Sequence, residues 1–219
     1  MTSNLSTSTT ALEERKAEAG RLFSPSTARN REAIAGVLAD VLPDKARVLE
    51  IGSGTGEHAV AACAARPDIR WQPSDPDARS RESQQAWAGE AGGRIAPPLD
   101  LDLRRDGWSA GLDPVDAVVC INVIHISPWR VAEALAEGAA RLLAPGRPVY
   151  LYGPYLEGAA TAPSNLDFDR SLKARNPDWG VRALEDVAAL FERSGFDLAR
   201  KAEMPANNLS LVFVKRETA

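Results

Sequence analysis

The stretch VLEIGSGTGEHAV, residues 48–60, places three glycines at alternate positions directly after an apolar, strand-like run. The glycines are Gly52, Gly54 and Gly56. Glycine has no side chain, so a turn of this kind lets a ligand approach the backbone closely. Free amides at the start of the next helix attract a polar or anionic group. We predict that the turn binds a nucleotide-like ligand and that Ser53 and His58 belong to this binding site, where His58 orients the loop or packs against it. The alternative is that the glycines only make a tight turn.

Two acidic residues flank the glycines and bear on the identity of the ligand. Glu50 precedes the first glycine by two residues, and Glu57 directly follows the last. The dinucleotide fingerprint is G-x-G-x-x-G, whereas this chain has glutamate at position 57. Because both carboxylates would repel a pyrophosphate, the stretch favours a cationic ligand. S-Adenosylmethionine (SAM) carries an ammonium and a sulfonium and no phosphate, and we predict that Glu50 and the glycine turn bind it.

Acidic residues also stand at the ends of the next two predicted strands. Asp75 ends the stretch WQPSD, nineteen residues after Gly56, where an acidic residue is expected to bind ribose hydroxyls. The alternative for Asp75 is an Asx turn ahead of a proline. In the stretch DLDL, Asp102 is predicted to accept a hydrogen bond from the adenine amino group, but Asp100 lies on the same side of the strand and is an equal candidate.

The fourth predicted strand leads into Asn122 and His125, in the stretch CINVIH. In open α/β sheets, ligands sit at the carboxyl edge of the strands, so Asn122 is predicted to contact the cofactor. His125 follows on the same edge and is the candidate general base, because imidazole titrates near neutral pH. The alternative is a structural histidine that holds the following Ser-Pro-Trp turn. These two interpretations of His125 are evenly matched at the level of sequence.

Size and charge exclude several classes of function. The chain has 219 residues, a net charge of −4 and a hydrophobic content of 44%, which favours one domain with a substantial core. The acidic balance does not indicate nucleic-acid binding. No apolar run is long enough to span a bilayer. The two cysteines, Cys63 and Cys120, lie in apolar stretches and are predicted to be core residues, and no metal site is indicated. These features predict a cytoplasmic protein.

Strand-like and helix-like stretches alternate along the chain, which is typical of an α/β fold with a mostly parallel sheet. Residues 1–20 are predicted to be a flexible tail, and residues 21–219 a single domain. The stretch 155–182 is predicted to be an irregular lid. Predicted strands are 47–51, 69–73, 95–103, 115–124, 148–153, 196–204 and 209–215. Predicted helices are 30–42, 57–65, 79–89, 128–143 (capped by Ser127) and 184–193.

Several longer motifs resemble those of one protein family. They are RLFSPSTARNREAI, LEIGSGTGEHAV, WQPSD, INVIHISPW, YLYGPY, SNLDFDRSL, NPDWGVR and MPANNLSLVF. The resemblance extends from Arg21 to Lys215 and is to a small methyltransferase-like family catalogued as a domain of unknown function. It implies a class I, Rossmann-like methyltransferase fold, with seven strands, an antiparallel last strand and helices on both faces. It also implies SAM as cofactor and S-adenosylhomocysteine (SAH) as product. Glu57 departs from the glutamine expected in this family.

Polar residues around these motifs are candidates for binding a methyl acceptor. Arg29 is predicted to hold the cofactor carboxylate or an anionic substrate group. The remaining candidates are Asn30, Tyr152, Tyr155, Asn165, Asp169, Arg182, Asn207 and Asn208. Their alternatives are a helix cap for Asn30, packing for the tyrosines and a turn for the paired asparagines.

The residues together predict methyl transfer to a small polar acceptor by in-line displacement. The first alternative is a SAM-binding regulator without turnover. A nicotinamide-dependent oxidoreductase on a similar fold is less favoured, because the glycine spacing and the flanking acids argue against it. A protein or RNA methyltransferase is a further alternative. The acceptor atom and the oligomeric state stay open.

Overall fold

The computed structural model describes residues 14–217. Most of the predicted tail, residues 1–13, therefore lies outside the described residues. The helices are α1 (Pro25–Val41), α2 (Glu57–Ala65), α3 (Ala78–Ala88), α4 (Trp129–Leu142), α5 (Pro163–Arg175) and α6 (Leu184–Arg193). The strands are β1 (Lys16–Glu18), β2 (Arg21–Phe23), β3 (Arg47–Ile51), β4 (Arg70–Ser74), β5 (Ala117–Ile121), β6 (Pro148–Leu156), β7 (Arg182–Ala183), β8 (Phe196–Met204) and β9 (Asn208–Lys215).

The main sheet confirms the predicted α/β architecture. Its strand order is β4-β3-β5-β6-β9-β8, and the short β7 pairs with the end of β6. Strands β4, β3, β5 and β6 are parallel, whereas β9 runs antiparallel to both β6 and β8. All five residues of the central strand β5 are buried, as expected for a parallel strand covered on both faces. The carboxyl ends of β3, β4, β5 and β6 therefore meet at one edge of the sheet.

Helices cover both faces of this sheet and bury two apolar clusters. On one face, α1 and α2 pack with residues such as Ile34, Leu38 and Trp71. On the other face, α4 and α6 pack with residues such as Leu135 and Phe191. Cys63 and Cys120 are both buried and unpaired, as predicted. Among the described residues, no helix combines the length and the apolar character needed to cross a membrane.

The predicted strand at 95–103 is wrong. Only Ile95 and Leu99 form isolated bridges, to Trp71 and Ser74 of β4. Two prolines, Pro97 and Pro98, lie between these bridges, and proline has no N–H to donate to a ladder. The segment therefore follows the edge of β4 without becoming a regular strand, and the seventh strand of the sheet is the two-residue β7.

The prediction that 155–182 is irregular is also wrong, because the segment contains the regular helix α5, while its role as a lid stays a prediction. The buried residues of this helix are Asn165, Asp169 and Leu172, whereas Leu166 is 43% exposed. Their spacing is helical, but two of the three buried positions are polar. The segment therefore lacks the apolar periodicity by which amphipathic helices are recognised.

The boundaries of the first elements differ from prediction as well. Helix α1 begins at Pro25, and its cap is Ser24, whose side chain accepts a hydrogen bond from the Thr27 N–H. Asn30, predicted as a possible cap, lies buried inside the helix. Upstream, β1 and β2 form an antiparallel hairpin that extends into residues assigned to the flexible tail. Strand β6 likewise continues past its predicted end at 153, through Pro154 to Leu156.

Candidate functional site

The glycine turn lies at the carboxyl end of β3. We call residues 50–58, together with Ser74 and Asp75, the glycine edge. At Gly52, φ is +66° and an added Cβ would lie 2.6 Å from Val123 Cγ2; at Gly56, φ is +92° and it would lie 2.9 Å from Gln84 Cα. Neighbouring protein therefore accounts for these two glycines. Gly54 differs, because among the described residues other than its chain neighbours the only atom within 4 Å of its added Cβ is Nη2 of the Arg15 side chain, at 3.4 Å.

Asp75 connects the end of β4 to this turn. Its carboxylate accepts a hydrogen bond from the Gly54 N–H at 2.9 Å and another from the Asp77 N–H at 2.9 Å. The second bond is the Asx turn considered in the sequence analysis. The Asx-turn alternative does not explain the hydrogen bond from the Gly54 N–H, because that bond connects Asp75 to the glycine turn. Burial raises the pKa of Asp75, while the two backbone donors act in the opposite direction. The ribose-binding role stays a prediction, with the carboxylate beside Gly54.

Ser53, predicted to bind the cofactor, is buried and bonded within the edge. Its backbone N–H donates to Ser74 O at 2.8 Å, and its hydroxyl accepts from the Ser74 N–H at 3.1 Å. These two bonds extend the pairing of β3 and β4 beyond the last ladder residues. Ser53 therefore fixes the start of the glycine turn relative to Asp75.

The two flanking glutamates have different surroundings. Glu50 is 1% exposed, accepts a hydrogen bond from Trp71 Nε1 at 3.0 Å, and has its pKa raised to about 7 by burial. Glu57 accepts from the Ser24 N–H at 2.9 Å and lies 3.5 Å from the Arg31 guanidinium. One acid is therefore partly protonated at neutral pH and the other is paired, so the electrostatic argument against phosphate is weaker than the sequence suggested.

Asp100 and Asp102, in the segment that follows the edge of β4, pair with different arginines. Asp102 pairs with its neighbour Arg104, with Nη2 to Oδ2 at 2.7 Å, and this hydrogen bond lowers the pKa of Asp102. Asp100 lies 3.4 Å from Arg81 Nη2, and Arg81 Nη1 also donates to Asp75 O. Asp100 is thus linked to the neighbourhood of Asp75 and is half exposed, whereas the carboxylate of Asp102 is engaged locally. The adenine contact stays a prediction for either residue.

A second group of predicted residues lies beyond the ends of β5 and β6. We call residues 122–128, with Gly153, Tyr155 and residues 176–182, the histidine edge. Asn122 has a left-handed backbone with φ +58°, and its N–H donates to Tyr152 O at 2.9 Å. Asparagine tolerates this conformation better than most residues. That backbone requirement is a reason for Asn122 that the sequence did not reveal, and its cofactor contact stays a prediction.

His125 is buried against the backbone of β6, where a Cβ at Gly153 would overlap its ring. Its Nε2 lies 3.3 Å from Asn122 Oδ1, and its Nδ1 is buried without a hydrogen-bond partner in the described structure. Burial and the nearby Arg182 charge lower the pKa of His125 to about 3. A base this weak accepts few protons near neutral pH. The geometry therefore argues against the general-base role and favours the structural alternative.

Arg182 and Asp169 hold the histidine edge together. The Arg182 guanidinium donates to the carbonyl oxygens of Ile124, Ser127 and Asp178. Asp169 accepts from the Val181 N–H at 2.9 Å and pairs with Lys173 at 2.7 Å. The motifs INVIHISPW, SNLDFDRSL and NPDWGVR thus meet in space. Both predicted acceptor ligands are committed to contacts within the protein.

The asparagines near the last hairpin are likewise committed to the fold. Asn165 Nδ2 donates to Tyr155 O at 3.2 Å and to Asn207 O at 2.9 Å. Asn207 has φ +56° in a 3-10 turn, and its side chain donates to Ser164 Oγ at 2.9 Å. The Asn208 side chain donates to Pro205 O at 2.9 Å. The structure brings Asn165 and Asn207 together and supports the turn interpretation of the asparagine pair.

The predicted tyrosines occupy opposite faces of β6. Tyr155 is buried among the side chains that pack on α4 and α6, and Tyr152 is buried on the side of α1. Neither hydroxyl has a hydrogen-bond partner among the described residues. Burial raises the pKa of both phenols. Tyr155 is thus a core residue, while Tyr152 lies close to predicted polar residues of α1.

Four predicted residues meet beside α1. His58 Nε2 lies 3.0 Å from Asn30 Oδ1, and burial lowers the pKa of His58 to about 4, so this neutral ring nitrogen donates to the amide oxygen. The Tyr152 hydroxyl is close enough to Asn30 and Arg29 for both to affect its pKa. Arg29 itself is exposed. This cluster, which we call the α1 cluster, keeps its solvent-facing arginine beside a buried hydroxyl and amide.

Sequence reasoning missed residues that contact the glycine edge from elsewhere. Gln84 Nε2 donates to Gly54 O at 3.0 Å, and Ser83 Oγ donates to Thr55 O at 2.7 Å, both from α3. Arg15 reaches the same turn from the segment before β1. Their types are common on surfaces, and no spacing relates them to the glycines, so the sequence held no signal for them.

Comparison with known families identifies the chain. The model of the family described as "Protein of unknown function (DUF938)" matches residues 21–215. The chain belongs to this family. The matched DUF938 region coincides with the span of the resemblance noted from the motifs, and it includes both edges and the α1 cluster.

Solved structures with the same fold as this DUF938 protein are methyltransferases. An O-methyltransferase family protein from Burkholderia thailandensis is 16% identical, with TM-score 0.73, 85% of this chain and 56% of that chain covered. CalO1, a methyltransferase in calicheamicin biosynthesis in an SAH-bound form, is 16% identical (TM-score 0.70; 87% and 54% covered). Human N-acetylserotonin methyltransferase in complex with SAM is 16% identical (TM-score 0.69; 85% and 51% covered).

These likenesses establish the Rossmann-like class I methyltransferase fold of the DUF938 protein. The chain spans about half the length of those solved structures. Their identities lie well below the level at which a bound ligand or an acceptor is carried from one protein to another. The activity has to be argued from this chain's own site.

Proposed function

We propose that this protein is a SAM-dependent methyltransferase that acts on a small polar acceptor. The observation that carries the proposal is the hydrogen bond of 2.9 Å between the Gly54 N–H and the Asp75 carboxylate. It joins an acid at the end of β4 to Gly54, the glycine of the turn at which an added Cβ would lie no closer than 3.4 Å to a described atom outside its chain neighbours. The junction lies at the carboxyl edge of parallel strands, which is where α/β folds bind ligands.

The residues of the glycine edge fit SAM. A carboxylate has about four acceptor positions, so Asp75 retains lone pairs for ribose hydroxyls after binding its two backbone donors. Glu50 supplies a buried carboxyl nearby, and a cation bound beside it would favour its charged form. The bound cofactor supplies a methyl group on a positively charged sulfur. The solved methyltransferases of the same fold, two of them with SAH or SAM, support this choice of ligand.

The α1 cluster is the acceptor-binding candidate that the fold leaves open. Arg29 is exposed beside the buried Tyr152 hydroxyl, which lies near Asn30 and has no hydrogen-bond partner of normal geometry among the described residues. A guanidinium of this kind attracts an anionic group of the acceptor, while Asn30 and Tyr152 supply hydrogen bonds. In-line transfer needs the acceptor lone pair aligned with the methyl carbon and water excluded.

The two histidines restrict the acceptor further. Burial lowers the pKa of His125 to about 3 and that of His58 to about 4. Neither is suited to remove a proton from an alcohol near neutral pH. We therefore favour an acceptor whose nucleophilic lone pair is available near neutral pH without a protein base, such as a carboxylate, a thiolate or an amine that is already neutral at this pH.

A SAM-binding protein without turnover is the second candidate. It is favoured by the buried His125 and by the internal hydrogen bonds of Arg182, Asp169 and Asn165, which commit three of the predicted acceptor ligands to contacts within the protein. Under this alternative, the glycine edge binds SAM as proposed but the α1 cluster serves only the fold.

Isothermal titration calorimetry with SAM, SAH and NAD tests the proposal. We expect SAM and SAH to bind and NAD not to bind; binding of NAD alone would overturn the proposal in favour of an oxidoreductase. A screen of amines, thiols, carboxylates and phenols with methyl-labelled SAM then tests turnover. Labelled product that depends on Arg29 supports the acceptor site, whereas binding without product from any class favours the second candidate.

A further inference from the structure

The β1–β2 hairpin is fastened to α3 beside the glycine edge. The Leu22 N–H donates to Ser83 Oγ at 2.7 Å, and Trp87 Nε1 donates to Leu22 O at 3.1 Å. The Phe23 ring also packs edge-on against the Trp87 indole, with centroids 5.1 Å apart. Because Ser83 also bonds to the glycine turn, the hairpin, α3 and the turn form one connected unit.

Arg15, just before this hairpin, extends its side chain over the glycine turn. Its Nη1 lies 3.4 Å from Ser80 Oγ in the first turn of α3, and its Nη2 lies 3.4 Å from the position of a Cβ on Gly54. Burial raises the pKa of Asp75, and the Arg15 charge acts against that rise, which places the guanidinium in the electrostatic field of this carboxylate. Arg15 therefore covers the exposed face of Gly54, next to Asp75.

One donor of this guanidinium is left without an acceptor. Arg15 Nε is buried and has no hydrogen-bond partner in the described structure. An unsatisfied buried donor is unfavourable, and more so on a charged group. The feature is explained if this guanidinium turns towards the acceptor atoms of a ligand that binds beside Gly54 and Asp75.

We propose that Arg15 is a cofactor-binding residue that donates a hydrogen bond to a ribose hydroxyl oxygen of SAM, and that the hairpin closes the adenosyl site. A ribose hydroxyl both donates and accepts. Asp75 accepts its proton, and Arg15 donates to its oxygen. The inference rests on the proposed function, because it requires SAM at the glycine edge.

Calorimetry on the full chain tests this role with SAH and with 5′-methylthioadenosine, which keeps the ribose but lacks the amino-acid carboxylate. Loss of a hydrogen bond from a charged donor weakens binding by about tenfold to a hundredfold. We expect Arg15→Ala to weaken both ligands by the same factor. Lys16→Ala is the matched control, because Lys16 is the exposed neighbour on the hairpin, and it should leave both affinities unchanged.

Three results overturn the inference. Binding of SAH by Arg15→Ala within twofold of wild type removes Arg15 from the site. A loss confined to SAH assigns Arg15 to the carboxylate instead of the ribose. If the wild-type chain binds neither ligand, both the proposed function and this inference are wrong. If the wild type binds both ligands and Arg15→Ala binds them equally well, only this inference is wrong. Equal thermal stability of wild type and Arg15→Ala would exclude misfolding as the cause of a loss.

Discussion

The glycine edge, after β3 and β4, and the histidine edge, after β5 and β6, lie at the same carboxyl edge of the sheet, yet their polar groups have different partners. At the glycine edge, Asp75 binds two backbone amides and keeps acceptor capacity beside Gly54. At the histidine edge, Arg182 and Asp169 bond to backbone groups of neighbouring loops, and His125 packs against Gly153. The first edge keeps acceptor capacity for the proposed ligand, whereas the polar groups of the second bond to the protein itself.

This difference shows that the residue type of a buried polar side chain does not reveal whether it binds a ligand or another part of the protein. A buried aspartate holds a loop at Asp169 and is proposed to hold a ribose at Asp75. What separates the two is whether the partners leave room and lone pairs for a ligand. Four experiments test the distinction.

Removal of the two buried aspartates should give opposite phenotypes. Asp75→Ala should weaken SAM binding by about 3 kcal/mol, because two charge-assisted hydrogen bonds to ribose would be lost. Asp169→Ala should leave SAM affinity within threefold but lower the free energy of unfolding by about 2 kcal/mol, because the Val181 N–H loses its acceptor. Calorimetry and urea unfolding measure the two quantities. Equal losses of affinity would mean that both edges contact the cofactor.

Glu50→Gln should show how much the buried negative charge of Glu50 destabilises the protein. Burial raises the pKa of Glu50 to about 7, above its unfolded value of about 4.3. Its contribution to stability is therefore full below the unfolded pKa and is lost as the pH rises through about 7. The uncharged glutamine should be more stable than wild type by about 2 kcal/mol at pH 8, with the gain absent near pH 4.

Urea unfolding across this pH range measures the Glu50→Gln effect, and Glu57→Gln is the control. Glu57 accepts the Ser24 N–H and faces Arg31, so its substitution should destabilise the protein at both ends of the range. A Glu50→Gln variant that is less stable than wild type at pH 8 would show that the charged carboxyl is needed in the cofactor-free protein.

Each edge contains one buried neutral histidine, and both should make the fold sensitive to acid. Burial lowers the pKa of His58 to about 4 and that of His125 to about 3, below the unfolded value of about 6.5. Their stabilising effect is present above the unfolded pKa and is lost as the pH falls towards the folded values. Between pH 7.5 and 5, each should account for a loss of about 2 kcal/mol.

Urea unfolding of His125→Gln and His58→Gln at several pH values tests this prediction. Each variant should lose less of its free energy of unfolding than wild type as the pH falls from 7.5 to 5. The His125 variant carries a second readout. If an acceptor is found, methyl transfer should fall by less than tenfold, whereas loss of a general base would cost about 10²- to 10⁴-fold. A loss in that range would restore the catalytic interpretation of the histidine edge.

The smallest expected effects concern the tyrosines of β6. Tyr155→Phe should change the free energy of unfolding by less than 1 kcal/mol or stabilise the protein, because its buried hydroxyl has no partner among the described residues. Tyr150→Phe is the matched control and should destabilise by about 1 kcal/mol, because Tyr150 bonds to Ser210 at 2.6 Å. Tyr152→Phe should be neutral for folding but weaken acceptor binding. Urea unfolding separates these cases, and a costly Tyr155→Phe would indicate a further partner for that hydroxyl.

The sequence predicted the fold well where apolar periodicity and burial agree. The strand β5 reads AVVCI and is buried throughout, and the glycine turn follows β3 as expected. Prediction failed at 95–103, where prolines prevent a ladder, and at α5, where the buried face is polar. It also ended β6 too early, at 153, because nothing in the sequence shows that the strand continues to Leu156 past Gly153, whose lack of a side chain makes room for His125.

For the site, the sequence by itself determined the order of the strand ends, the G-x-G-x-G turn and the position of Asp75 in register with it. These depend on local patterns and on the rule that parallel strands end at one edge. The tertiary structure alone decided which polar groups remain available, because hydrogen bonds and burial come from residues far apart in the chain. For this reason only the structure shows that Asp169 binds the backbone of Val181, that His125 is a buried neutral ring, and that Arg15 lies beside Gly54.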